Sequence, residues 1–154
     1  MTKQEVILQI RQAYIAHIKW RSEAQAIHMG LPMLEKKVDL LQTDCAFGQW
    51  YYGDGQHLSL LETFKSLEPM HDKMHHIYQS IYHLENKKKK SRFLKLKTED
   101  EVLKKKQIRA YFKDMAKISK HFLETLKELE TDIIGIPDKY FEKTNNIGSK
   151  DDIL

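Results

Sequence analysis

From Val6 to Ile27 the apolar positions fall at steps of three and four: Val6, Ile10, Ala13, His17, Trp20, Ala24 and Ile27. That period keeps one stripe of a 3.6-residue helix turned to a core. It predicts a helix from about Lys3 to Met29, ended by Gly30 and Pro32. His17, a titratable group, occupies one of the inward slots. The composition agrees: with three prolines, six glycines and 31% charged residues, the chain favours long helices with wet outer faces over a turn-rich β fold.

Three further stripes follow. Leu34, Val38, Leu41, Cys45 and Gly48, with Tyr52 near the end, predict a second helix closed by Gly53-Asp54-Gly55. Gly48 lies one turn beyond Cys45, where a missing side chain lets a neighbouring backbone come close. A short helical turn is expected over Ser59 to Lys65, and then a third helix from Ser66 to Lys88 with Pro69 in its first turn. The alternative is one helix from Leu58 onward, kinked at Pro69. Its stripe is Leu67, His71, Met74, Tyr78 and Ile81, with His75 beside it. A fourth helix from Glu99 to Thr131 carries Ile108, Tyr111, Phe112, Met115, Ile118, Phe122, Leu126 and Leu129, with Ile133 just beyond. The expected fold is all-α, an antiparallel up-down-up-down four-helix bundle over residues 1–133. Residues 134–154 form a C-terminal appendage around Ile136, Tyr140 and Phe141, with a mobile end after Asn145.

No apolar run approaches the roughly 20 residues that cross a bilayer, and the N-terminus carries no apolar signal core, so a cytoplasmic protein without membrane insertion is expected. The net charge of +4 is concentrated at Lys87–Lys90, Arg92, Lys95, Lys97 and Lys104–Lys106. No recognition motif or aromatic stacking platform accompanies it, and nucleic-acid binding is not expected. The segment suits a solvated helix end.

The chemistry gathers on four side chains. Cys45 is the only cysteine, so it cannot close a disulfide within the chain. His71 and His75, at i and i+4, share one face of a helix. With His17 they make three imidazoles and one thiolate, a tetrahedral set for Zn2+. At 1.5 Å per residue, His17 and Cys45 both stand roughly 18 Å from the turn between the first two helices, and the next turn brings His71 and His75 to the same level. The competing account makes Cys45 a small hydrophobe and the histidines separate hydrogen-bonded core residues. Asp44, Glu68 and Asp72 are candidates to orient the ligand imidazoles. Trp20, Phe47, Trp50 and Tyr78 read as packing residues, and His28, His57, His76, His83 and His121 as outside the ligand set.

In three blocks the chain resembles the chemoreceptor zinc-binding domain family: His17-Ile18-Lys19-Trp20, then Cys45-Ala46-Phe47-Gly48-Gln49-Trp50, then His71-Asp72-Lys73-Met74-His75. The blocks stand in the family's order, between Val6 and Leu84. The resemblance implies a four-helix bundle forming a symmetric homodimer, with one zinc per subunit held by His17, Cys45, His71 and His75. It also implies a regulator of chemotaxis receptors or cyclic-di-GMP synthesis, responsive in some members to zinc or to oxidation of the cysteine. No coiled-coil signalling module or cyclase accompanies the domain here, so a stand-alone sensor with a separate signalling partner is expected.

Four protein ligands close a tetrahedral site and leave no place for an activated water, so no enzyme is expected. The alternatives are a structural zinc-stabilised interaction module, and a zinc-dependent hydrolase needing an open metal position with Glu68 or Asp72 as acid or base. For the homodimer, Tyr14, Trp50 and Tyr51 are the apolar residues expected at the contact.

Overall fold

The computed structural model of the chain describes residues 1–29, 38–86 and 99–142. Among these the fold is all-α: α1 (Lys3–His28), α2 (Ala46–Tyr52), a 3-10 turn (Asp54–Leu58), α3 (Glu62–Asn86), α4 (Glu99–Gly135) and α5 (Lys139–Glu142). The turn at Gly30 and Pro32, Leu34, the basic stretch from Lys87 to Lys97 and the segment after Asn145 lie outside the described residues.

Three long helices carry the core. The α1 stripe is buried from Val6 through Ala24, including His17. On α3 every stripe residue is buried, Leu67, His71, Met74, Tyr78 and Ile81, together with His75. On α4, Ile108, Met115, Phe122, Leu126, Leu129 and Ile133 are buried, while Tyr111, Phe112 and Ile118 are half-buried. Polar ties fix the directions. Arg11 grips Glu130 through Nε at 2.9 Å and Nη2 at 2.6 Å, and Lys3 meets Asp138 at 2.7 Å, so α1 runs against α4. Thr63 donates to Asp132 at 2.7 Å and Lys104 to the Glu85 carbonyl at 3.4 Å, so α3 also runs against α4.

The second long helix expected from Leu34 to Tyr52 is not there in its described part. Residues 38–40 are irregular, 41–45 form a turn, and the helix is the seven-residue α2. The backbone groups that would build it are spent on side chains. Trp20 Nε1 donates to the Asp39 carbonyl at 3.0 Å, and His75 Nδ1 and Gln79 Nε2 reach the Leu40 carbonyl at 3.1 and 3.0 Å. These two carbonyls would otherwise accept from residues 43 and 44. Leu41, expected in the core, is 54% exposed.

The third helix starts earlier than its expected cap. It runs unbroken from Glu62 with Pro69 in its second turn, and Ser66 is helical, donating its hydroxyl to the Thr63 carbonyl at 2.9 Å. Pro69 is exposed, so the Lys65 carbonyl it leaves without an amide donor faces the wet side of the helix. Downstream of α4, Ile136 and Phe141 pack against the core and Tyr140 is exposed.

Candidate metal centre

Cys45 ends the irregular segment. Its backbone is extended, at φ −72° and ψ 154°, and its thiol caps α2 by accepting the Gly48 N–H at 3.3 Å. Gly48 permits this geometry. A Cβ there would stand 1.7 Å from the Gln42 carbonyl oxygen, so only glycine lets the 42–45 turn lie against the first turn of α2. The spacing Cys45-x-x-Gly48 therefore places the sulfur at a helix start with a backbone amide aimed at it.

The sulfur faces α3. Cys45 Sγ lies 3.2 Å from His71 Nε2, and the thiol also has the Gln42 carbonyl at 3.5 Å as an acceptor. One ligand atom from each of Cys45, His71 and His75 falls within 4.8 Å of the others, and all three residues are buried. The rings of His71 and His75 meet edge to face at 4.7 Å. Trp20 lies against His75 at 4.4 Å, and Phe47 against His71 at 4.5 Å, closing the site with apolar walls. Trp20, Phe47 and Tyr78 are buried packing residues, as expected, and Trp50 is half-buried with its Nε1 donating to Gln9 at 3.3 Å.

The donor set fits a metal ion. The Leu40 carbonyl can only accept, so His75 Nδ1 carries the ring proton. That leaves the Nε2 lone pair of the neutral ring buried without a partner. His71 Nδ1 is likewise buried and unpartnered. Such groups cost about 1–3 kcal/mol each when left unmatched. A thiolate with imidazole nitrogens is the donor chemistry of zinc, and an imidazole whose far nitrogen is tied to a carbonyl is held as metal-binding histidines are.

Electrostatics point the same way. Burial holds His71 down at about 3, with His75 and His17 contributing in turn, so the ring is neutral. Burial also holds His17 at about 3, aided by the Arg21 cation and His75, and it lowers His75 against the opposing pull of the Leu40 carbonyl and of Asp39 and Asp72. The Cys45 thiol is pushed up, first by burial and then by Asp39 and Asp44, although the Gly48 and Phe47 amides pull it down. A cation would reverse that balance and hold the sulfur as thiolate.

His17 is buried beside the cluster, its ring 4.5 Å from Phe122 and 6.1 Å from Trp20, yet it stands outside the three-residue group. Its Nε2 lies 3.0 Å from Ser119 Oγ on α4, and Arg21 Nη1 donates to the same oxygen at 3.1 Å. The carboxylates expected to orient the ligands are engaged elsewhere. Glu68 accepts from the Tyr52 hydroxyl at 3.3 Å, Asp72 pairs with His76 at 3.2 Å, and Asp44 accepts from Thr43 at 3.0 Å. The orienting acceptor is instead the Leu40 main chain, which no side-chain pattern announces. Ser119 did leave a trace in the sequence: it follows Met115 by four, a small hydroxyl on the inward line of α4 next to Ile118. Tyr51, expected at a subunit contact, is buried and stacked on Phe64 at 4.3 Å.

No curated protein and no solved structure matches the chain. Over residues 17–82, a span that opens on His17 and takes in Cys45, His71 and His75, the chain matches the family model of the chemoreceptor zinc-binding domain, a non-catalytic signalling module.

Proposed function

We propose that the chain is a zinc-holding sensory domain in which Cys45, His71 and His75, completed by His17, bind one zinc per subunit. The observation that carries this reading is the buried trio with two imidazole nitrogens lacking any partner, His71 Nδ1 and His75 Nε2. Bound zinc supplies charge that keeps Cys45 deprotonated. The protein's own residues set the rest. Leu40 fixes the His75 tautomer, Gly48 brings the turn onto α2, and Trp20 and Phe47 exclude water.

The signal is zinc availability or oxidation of Cys45. A metal-bound thiolate stays nucleophilic, and its oxidation to a sulfenic acid takes the negative charge off sulfur. Because Cys45 is both ligand and cap of α2, its loss loosens α2 from α3. The output is a homodimer surface read by a separate signalling partner in chemotaxis or cyclic-di-GMP control, in a reducing cytoplasm suited to a lone thiol. Support for the dimer comes from α1, where Leu8 and Ile15, one heptad apart, are 56% and 64% exposed with Ile18 beside them. Hypochlorous acid added to the zinc-loaded protein should release zinc and raise hydrogen exchange over residues 41–52 and 67–79. If doses that modify Cys45 leave both unchanged, the sensor reading gives way to a structural zinc module.

A further inference from the structure

Ser119 is the one fully buried hydroxyl of α4, and it lies against a candidate ligand. A guanidinium only donates, so Ser119 Oγ accepts from Arg21 and has its own proton left for His17 Nε2, the acceptor nitrogen of a neutral ring. The chain Arg21 to Ser119 to His17 thus ties α1 to α4 through three groups, and the cation at its head polarises the hydroxyl toward the imidazole. His17 stands beside the trio, near enough for its charge to act on His71 and for that of His75 to act on it. A neutral imidazole has one acceptor nitrogen, so while His17 Nε2 takes the Ser119 proton the ring has no lone pair for an ion held by Cys45, His71 and His75.

The geometry points to Ser119, held by Arg21, as a competing partner for His17, so that filling the metal centre draws His17 off Ser119 and releases a tether between α1 and α4. This rests on the metal reading above and adds the route by which occupancy reaches the longest helix of the fold. Ser119 is here a positioning residue that opposes the ligand role of His17, and Arg21 sets the strength of the opposition.

Zinc affinity measured by competition with a chromophoric chelator decides the matter. Ser119→Ala removes the competitor and should tighten zinc binding about three- to tenfold. Arg21→Gln, which leaves the hydroxyl but removes its cationic anchor, should tighten it by a smaller factor. Nitrogen NMR of the histidine rings in the wild type needs no variant: on zinc addition the His17 ring signal should shift, and amide exchange over residues 115–122 should rise. Ser119→Ala should show that higher exchange already without zinc. Affinity unchanged or weakened in Ser119→Ala, or a His17 ring signal indifferent to zinc in a wild type that binds it, overturns this inference alone. A wild type that takes up no zinc overturns the metal reading and the inference together.

Discussion

At the scale of residues, the centre is a set of groups held in one protonation state by burial. His17 and His71 titrate at 6.5 in an unstructured chain and at about 3 in the folded one. Below 6.5 the unfolded chain binds more protons, so stability contributed by the neutral rings is complete above that pH and drains away as pH falls toward 3. In chelator-treated protein each ring should remove about 1.4 kcal/mol per pH unit across that window. Urea unfolding between pH 8 and pH 4 checks this, and a midpoint level from pH 7 to pH 5 would contradict it. With zinc present the same protons compete with the metal, and affinity should fall over the same range. His28 is a control outside the centre. It pairs with Glu85 at 2.5 Å and leans on Phe112, so His28→Ala should leave zinc content unchanged in metal analysis.

At the scale of elements, what was legible in the sequence and what was not divide along one physical line. Helices that bury a periodic stripe on their own, α1, α3 and α4, were readable to within a few residues, because a 3.6-residue period is written in side chains. The segment before Cys45 has a helical pattern, since Val38, Leu41 and Cys45 fit the period, yet residues 38–45 are irregular and turn. Its conformation is set by main-chain carbonyls caught by Trp20, His75 and Gln79, partners that a local pattern does not reveal. For the same reason the helical rise of 1.5 Å per residue does not set the height of Cys45, because residues 38–45 before α2 are irregular and turn. Cys45 and the α3 histidines meet nonetheless, through a turn rather than a second long helix, while His17 faces Ser119. The requirement at Gly48 was legible as a close approach, and its partner, Gln42, was not. Gly48→Ala must push the Gln42 carbonyl away from α2 and displace Cys45, costing about 3 kcal/mol. Urea unfolding should show that loss, and zinc affinity should drop with it; a variant as stable as the parent would show that the turn does not rest on α2.

At the scale of the whole molecule, the three long helices form a frame in which α1 and α3 both run against α4, and the centre sits where α1, α3 and the Cys45 turn converge. No helix among the described residues is long and apolar enough to cross a membrane. In the proposed dimer, the exposed pair Leu8 and Ile15 would present α1 to a second copy. Ile15→Lys should therefore lower the sedimentation coefficient from dimer to monomer at tens of micromolar protein, with zinc content intact. An unaltered dimer would move the contact elsewhere. The centre itself is tested most directly by zinc-edge X-ray absorption with metal analysis on wild type and Cys45→Ala. The wild type should hold about one zinc per chain in a shell of three nitrogens and one sulfur. Cys45→Ala should lose the sulfur and most of the metal. A wild type purified with zinc present that carries none, or whose zinc has no sulfur neighbour, would contradict it.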